Sequence, residues 1–217
     1  MSTADGHRLG RDFFARESDV VARELLGRVV RTGSGESTVA VRLTETEAYH
    51  GATDAASHAY RGETARTAVM FGPAGHLYLY FVYGMHWCAN VVTGQPGTAS
   101  AVLLRAGEVV DGVPLAQARR PAERSTRKLA SGPARLAAVL GWGTGDAARA
   151  ANGRDLCAAG GPGEVLDAPV DPFDITTGPR VGVAAAAEEP LRFWISGDPT
   201  VSAYRPRVPR PRNRGTG

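Results

Sequence analysis

The sequence predicts the α+β class: a single compact mixed domain with a largely antiparallel β-sheet and flanking helices. Three observations predict it. Short segments with strand-like alternation outnumber helical ones, and they do not alternate with helices in a βαβ rhythm. The chain has 217 residues, of which 43% are hydrophobic and 22% charged, which suits one well-packed core. Turn signals rich in glycine and proline punctuate the segments throughout.

Residues 19–26 read as a short helix, with Ser18 as its N-cap and Gly27 past its end. A strand over 28–31 and a turn at Gly33-Ser34-Gly35-Glu36 lead into the clearest strand, 37–49, where Val39, Val41 and Leu43 alternate with Ala40, Arg42 and Thr44. Residues 51–67 are small and polar and read as a loop, and Gly72-Pro73-Ala74-Gly75 as a turn. Residues 77–83 form an aromatic strand and 99–110 an apolar one. A helix over 129–140 opens at Gly132-Pro133 and buries Leu136, Val139 and Leu140. The Gly- and Ala-rich stretch 143–163 reads as loop, and 180–183 and 191–196 as late short strands.

Composition limits the chemistry. No apolar run approaches the ~20 residues that span a bilayer, and the polar start, residues 1–10, lacks an apolar signal core; a cytoplasmic location follows, without membrane association. Cys88 and Cys157 are too few for a disulfide framework and form no Cys-x-x-Cys pair. His50, His58, His76 and His86 show no established metal-ligand spacing, and there is no phosphate-binding glycine loop, so no metal and no cofactor are expected. Of the 25 basic residues only Lys128 is a lysine, set in a polar, arginine-rich stretch, which disfavours imine chemistry.

The net charge of +3 is unevenly spread. Residues 203–217 carry Arg205, Arg207, Arg210, Arg212 and Arg214 and no acid, so the other 202 residues carry −2, the difference between +3 and +5. A second cluster, Arg119, Arg120, Arg124, Arg127, Lys128 and Arg135, contains only Glu123 as counter-charge. Such clusters fit a polyanion, because each phosphate contact releases a counterion; they equally fit a solvated face and a basic tail.

Strand alternation places Glu45 and Glu47 on the face of Val39, Val41 and Leu43. If that face is buried, a carboxylate in a water-poor setting suits general-base work; if the strand ends at Leu43, both acids are solvated. Arg105 shares a face with Ala99, Ala101 and Leu103, where pairing with Glu47 or Glu45 would satisfy it, either as a structural pair or to orient a water. Tyr49, Tyr78, Tyr80 and Tyr83 fit either a core stripe or a stacking pocket for planar rings.

At these same residues the sequence resembles the alkyladenine (3-methyladenine) DNA glycosylase family, as a bacterial member. The matching segments are Glu45-Thr46-Glu47-Ala48-Tyr49, His58, Leu77-Tyr78-Leu79-Tyr80-Phe81-Val82-Tyr83-Gly84-Met85, Asn90 and Val102-Leu103-Leu104-Arg105-Ala106. Leu129-Ala130-Ser131-Gly132-Pro133, Gly178-Pro179-Arg180-Val181-Gly182-Val183 and Leu191-Arg192-Phe193 follow in order, so that residues 11–202 form the glycosylase domain and 203–217 a basic Pro/Arg tail outside it.

The resemblance implies a monofunctional DNA glycosylase of base excision repair, acting as a monomer on double-stranded DNA that contains damaged purines in the cytoplasm and nucleoid. It implies a protruding β-hairpin that enters the minor groove. It assigns water activation to Glu47, water holding to Arg105 with a backbone carbonyl near residues 181–183, base sandwiching to Tyr49, His58 and Tyr80, intercalation to Tyr83, and crowding of the guanine amino group to Asn90. His86-Trp87 departs from relatives, which usually carry other aromatic residues there. A non-catalytic damaged-DNA binder of the same fold would need neither Glu47 nor Arg105.

Overall fold

A computed structural model describes residues 6–82, 84–167 and 173–204. Tyr83 and residues 205–217 of the basic tail lie outside the described residues. The described strands form one antiparallel sheet, in the order β1 (His7–Arg8), β8 (Glu164–Asp167), β2 (Val29–Thr32), β3 (Val39–Tyr49), β6 (Ala101–Asp111), β5 (His86–Val92), β4 (Leu77–Val82). Three strands lie off that path: β10 (Arg192–Ile195) pairs both β3 and β9 (Ile175–Gly178), and β7 (Ala130–Ser131) pairs β6. The flanking helices are α1 (Arg11–Phe14), α2 (Ser18–Glu24), α3 (Val113–Arg119), α4 (Pro133–Val139) and α5 (Gly145–Ala151).

β3 is the organising strand. Residues 40–49 pair β6 along one edge, with interruptions in register. Along the other edge, residues 39–42 pair β2 and residues 45–47 pair β10. Where the partner changes, the register with β6 is interrupted between Leu43 and Thr46. An interruption of this kind shifts the alternation of side chains between the two faces. Val39, Val41 and Leu43 accordingly lie in the main core, whereas beyond the interruption Ala48 does so. The Thr46 hydroxyl there donates to the Ala22 carbonyl of α2. The sequence expectation that Glu45 and Glu47 continue the face of the valines is therefore corrected. The strand does not stop at Leu43, and both acids are fully buried.

The same division runs across the sheet. Leu77, Leu79, Ala89, Val91, Val102 and Leu104 join the main core with Val21, Leu25 and Leu136 from the helices. Their neighbours in sequence, Tyr78, Tyr80, Cys88, Asn90, Leu103 and Arg105, line a cavity instead. Residues Ala59 and Met70 pack with Tyr78 and Ala101 in a second cluster on that side.

Other local expectations are revised. Ser18 is the first helical residue rather than the cap; it is buried, and its hydroxyl lies 3.1 Å from His50 Nδ1. Residues 129–140 are not one helix: Ala130 and Ser131 pair with β6, and the helix starts at Pro133, whose fixed φ suits a first turn. The stretch read as loop, 143–163, contains α5, because its alanines (four in seven residues) are the best helix formers. No strand forms over 180–183. The chain leaves β9 at Gly178, Pro179 offers no N–H to a ladder, and Gly182 turns it at φ +76°.

Candidate active site

The cavity encloses about 670 Å³. Its walls come from β3 through Tyr49, from β4 and β5 through Tyr80 and Asn90, from β6 through Arg105, from the 55–58 segment through His58, and from residues 181–185. Hence Tyr49, His58, Tyr80, Asn90 and Arg105, scattered over nearly sixty residues of sequence, converge on one space. His86 also lines it, while Trp87 turns to Phe81, the rings 5.1 Å apart.

The aromatic lining is ordered by neighbours. The His58 ring meets Tyr80 edge-on at 4.5 Å, and the Tyr78 and Tyr80 rings lie 6.0 Å apart at 29°. His58 Nδ1 lies 3.3 Å from the Tyr78 hydroxyl. Burial, and then the charge of Arg66, lower the pKa of His58, so its ring is neutral at pH 7. Burial raises Tyr49 and Tyr80 well above the ordinary phenol range, with Glu47 adding to the effect on Tyr49 and Cys88 to that on Tyr80. The stacking surfaces thus carry no charge of their own. Asn90 lines the cavity and donates to the Tyr78 carbonyl at 3.1 Å.

Glu47 has no exposed surface. Its Oε1 accepts the Val181 N–H at 2.7 Å and lies 3.2 Å from Arg105 Nη1; its Oε2 accepts the Tyr49 hydroxyl at 2.8 Å. The two donors, Val181 and Tyr49, and the ion-pair partner Arg105 all line the cavity. Glu47 is therefore one hydrogen bond behind the cavity wall. At residue 181 it is the backbone N–H that meets the acid.

Arg105 bridges both acids, and its shorter contact is to Glu45, with Nε 2.7 Å from Oε1. Burial disfavours the guanidinium charge, but Glu47 and Glu45 outweigh it and raise the pKa. Burial likewise opposes ionised Glu45, and Arg105, Arg192 and Ser202 overcome it, so its pKa falls.

Sequence reasoning missed a second buried pair. Arg180 holds Asp54 through two nitrogens, at 2.5 and 2.9 Å, and donates to the Ala48 carbonyl at 3.0 Å. Its guanidinium carbon also lies 4.8 Å from the Tyr49 ring centre, covering one face of that ring. Arg180 sits inside the motif that carries Val181, which was the signal available. Among the described residues no group of three His, Cys, Asp or Glu side chains could hold a metal, and no helix is long and apolar enough to cross a membrane.

Comparison with known proteins places this geometry in context. The sequence pattern of the methylpurine-DNA glycosylase family matches residues 12–199. A protein of Streptomyces avermitilis is 50% identical over 98% of this chain and 99% of its own length. One from Nocardia farcinica is 50% identical over 87% of this chain and 88% of its own, and one from Burkholderia lata 43% identical over 91% and 92%. All three are provisionally named 3-methyladenine DNA glycosylase.

Proposed function

The chain belongs to the methylpurine-DNA glycosylase family, and from that premise we propose that it swings an alkylated or deaminated purine out of duplex DNA and hydrolyses the bond between base and sugar. The product is an abasic site on an intact strand. A base inside a duplex cannot be reached, so extrusion comes first and costs a few kcal/mol. Tyr83, which follows β4 in the sequence, fills the vacated stack in this reading, and the extruded base enters the cavity between Tyr49, His58 and Tyr80. Alkylated purines carry positive charge, which the uncharged π-faces favour over neutral bases. Asn90 crowds the amino group of guanine.

Glu47 activates the water. A carboxylate offers about four acceptor sites. Val181 and Arg105 occupy Oε1 and Tyr49 one site of Oε2, which leaves an acceptor on Oε2 for a water proton. As that water attacks C1′ and gives its proton to Glu47, the sugar passes through an oxocarbenium-like state that the nearby carboxylate stabilises; a cationic alkylated base departs as a neutral molecule, whereas a neutral deaminated base takes up a proton from water as it leaves. Lys128, the sole lysine, is exposed and not part of the cavity, which supports a water nucleophile over an imine.

The observation that carries this reading is a fully buried Glu47 contacted by three residues of an aromatic-walled cavity. The test is base release from methylated and deaminated duplexes by wild type and Glu47→Gln, alongside binding. The expected result is release by wild type and loss of at least ~100-fold in Glu47→Gln with lesion affinity kept. Full release by Glu47→Gln removes the acid from its role. Binding without release by wild type would favour a damage-binding protein of this fold.

A further inference from the structure

Resting on the roles just given to Glu47 and Arg105, we propose that residues 200–204 form a strap that aims Arg105, and that Ser202 is a positioning residue for base release. Arg105 meets three partners with three nitrogens: Nε to Glu45 at 2.7 Å, Nη1 to Glu47 at 3.2 Å, and Nη2 to the Ser202 hydroxyl at 3.3 Å. Only the second of these faces the acid that activates water. The other two fix the plane of the guanidinium.

Ser202 also binds Glu45 and Arg192. Its N–H donates to Glu45 Oε2 at 2.7 Å and its hydroxyl to Glu45 Oε1 at 2.9 Å. Its carbonyl accepts Arg192 Nη2 at 3.0 Å, and Arg192 Nε in turn reaches Glu45 at 2.7 Å. Arg192 is itself 3% exposed, with its guanidinium carbon 4.5 Å from the Trp194 ring centre and 5.8 Å from that of Tyr204. The strap is anchored just upstream, where buried Thr200 meets the Thr44 hydroxyl at 2.8 Å, beside the register interruption of β3. The family pattern ends at residue 199, so Ser202 lies beyond the span it describes.

Two acids and two arginines, Glu45, Glu47, Arg105 and Arg192, thus form a neutral buried set. Electrostatics alone does not decide how Arg105 divides itself between two equal charges. Without the Ser202 hydroxyl the guanidinium is held firmly only at Nε and can pivot about that bond toward Glu45. A misplacement near 1 Å at a catalytic group costs up to ~100-fold in rate, and the loss of one of three contacts should cost about tenfold.

The test uses the full chain with Ser202→Ala and Ser202→Thr. Single-turnover base release from a methylated duplex at saturating enzyme is measured with duplex affinity and melting temperature. We expect Ser202→Ala to release base about tenfold more slowly, with affinity within about twofold of wild type. Ser202→Thr, which keeps the hydroxyl, should recover most of the rate. A Ser202→Ala rate equal to wild type, or a Ser202→Thr as slow as Ser202→Ala, overturns the proposal, as does a rate loss accompanied by an equal loss of affinity. Glu47→Gln run in parallel separates the two readings. An active Glu47→Gln defeats the assignment of the acid and the strap with it; an inactive Glu47→Gln beside a fully active Ser202→Ala defeats the strap alone.

Discussion

Replacing Arg180 with methionine isolates what the second buried pair does. Methionine keeps most of the stem volume and removes the charge. The Arg180 and Asp54 side chains are 0% and 1% exposed, so the change leaves a carboxylate in the interior without its cation. Breaking a buried pair from one side costs about 3–5 kcal/mol. Asp54 retains the N–H groups of His50 at 3.2 Å and Ala56 at 2.9 Å, which argues for the lower end, about 3 kcal/mol. For a chain of this size that corresponds to a fall in Tm of about 10 °C. Urea or thermal unfolding measures it, and a loss under about 1 kcal/mol would refute the reasoning. The double variant with Asp54→Asn should lose clearly less than the sum of the singles. The pH dependence has a definite sign. Burial opposes ionised Asp54, but its hydrogen bonds and Arg180 hold its pKa below the usual 3.8. Its contribution is therefore present above 3.8 and lost as pH falls through the lowered value, so wild type and Asp54→Asn should converge in acid.

Two further outcomes are expected. Gly51→Ala would place a Cβ 1.6 Å from the Ala99 carbonyl oxygen at a residue whose φ is +64°. It should cost at least ~3 kcal/mol in unfolding experiments and slow base release, since this turn leads into Asp54 and His58; a loss under ~1 kcal/mol would contradict the close approach. Burial pushes both thiols up to about 11, Asp155 assisting at Cys157. Both cysteines should react with iodoacetamide at pH 8 about 100-fold more slowly in the folded than in the unfolded chain, and labelling within a few-fold of the unfolded rate would show that the thiols are not so protected.

Local patterns made much of the molecule legible. The alternation of Val39, Val41 and Leu43 marks a strand because period two is a property of consecutive residues. The Tyr78 and Tyr80 pair projects to one face for the same reason, and the cavity bears this out. The ordered motifs pointed to the family that the comparisons show. Where local composition was ambiguous the reading failed. The alanines of α5 suit a helix as well as a loop, and only packing of Ala148 and Ala151 against the core chooses between them.

The order of residues settles which kinds of side chain are available: two acids two positions apart, one inward arginine, a run of tyrosines. Which acid sits behind the cavity wall, and with what partners, is set by tertiary structure. The register break opposite β6, the change of neighbour from β2 to β10, and contacts from residues as distant as Arg180, Arg192 and Ser202 set it. The reason is one of range. Propensity and periodicity act over a few residues, whereas a buried charge is stable only when opposite charges and donors surround it on every side, and the chain delivers those from segments more than a hundred residues away.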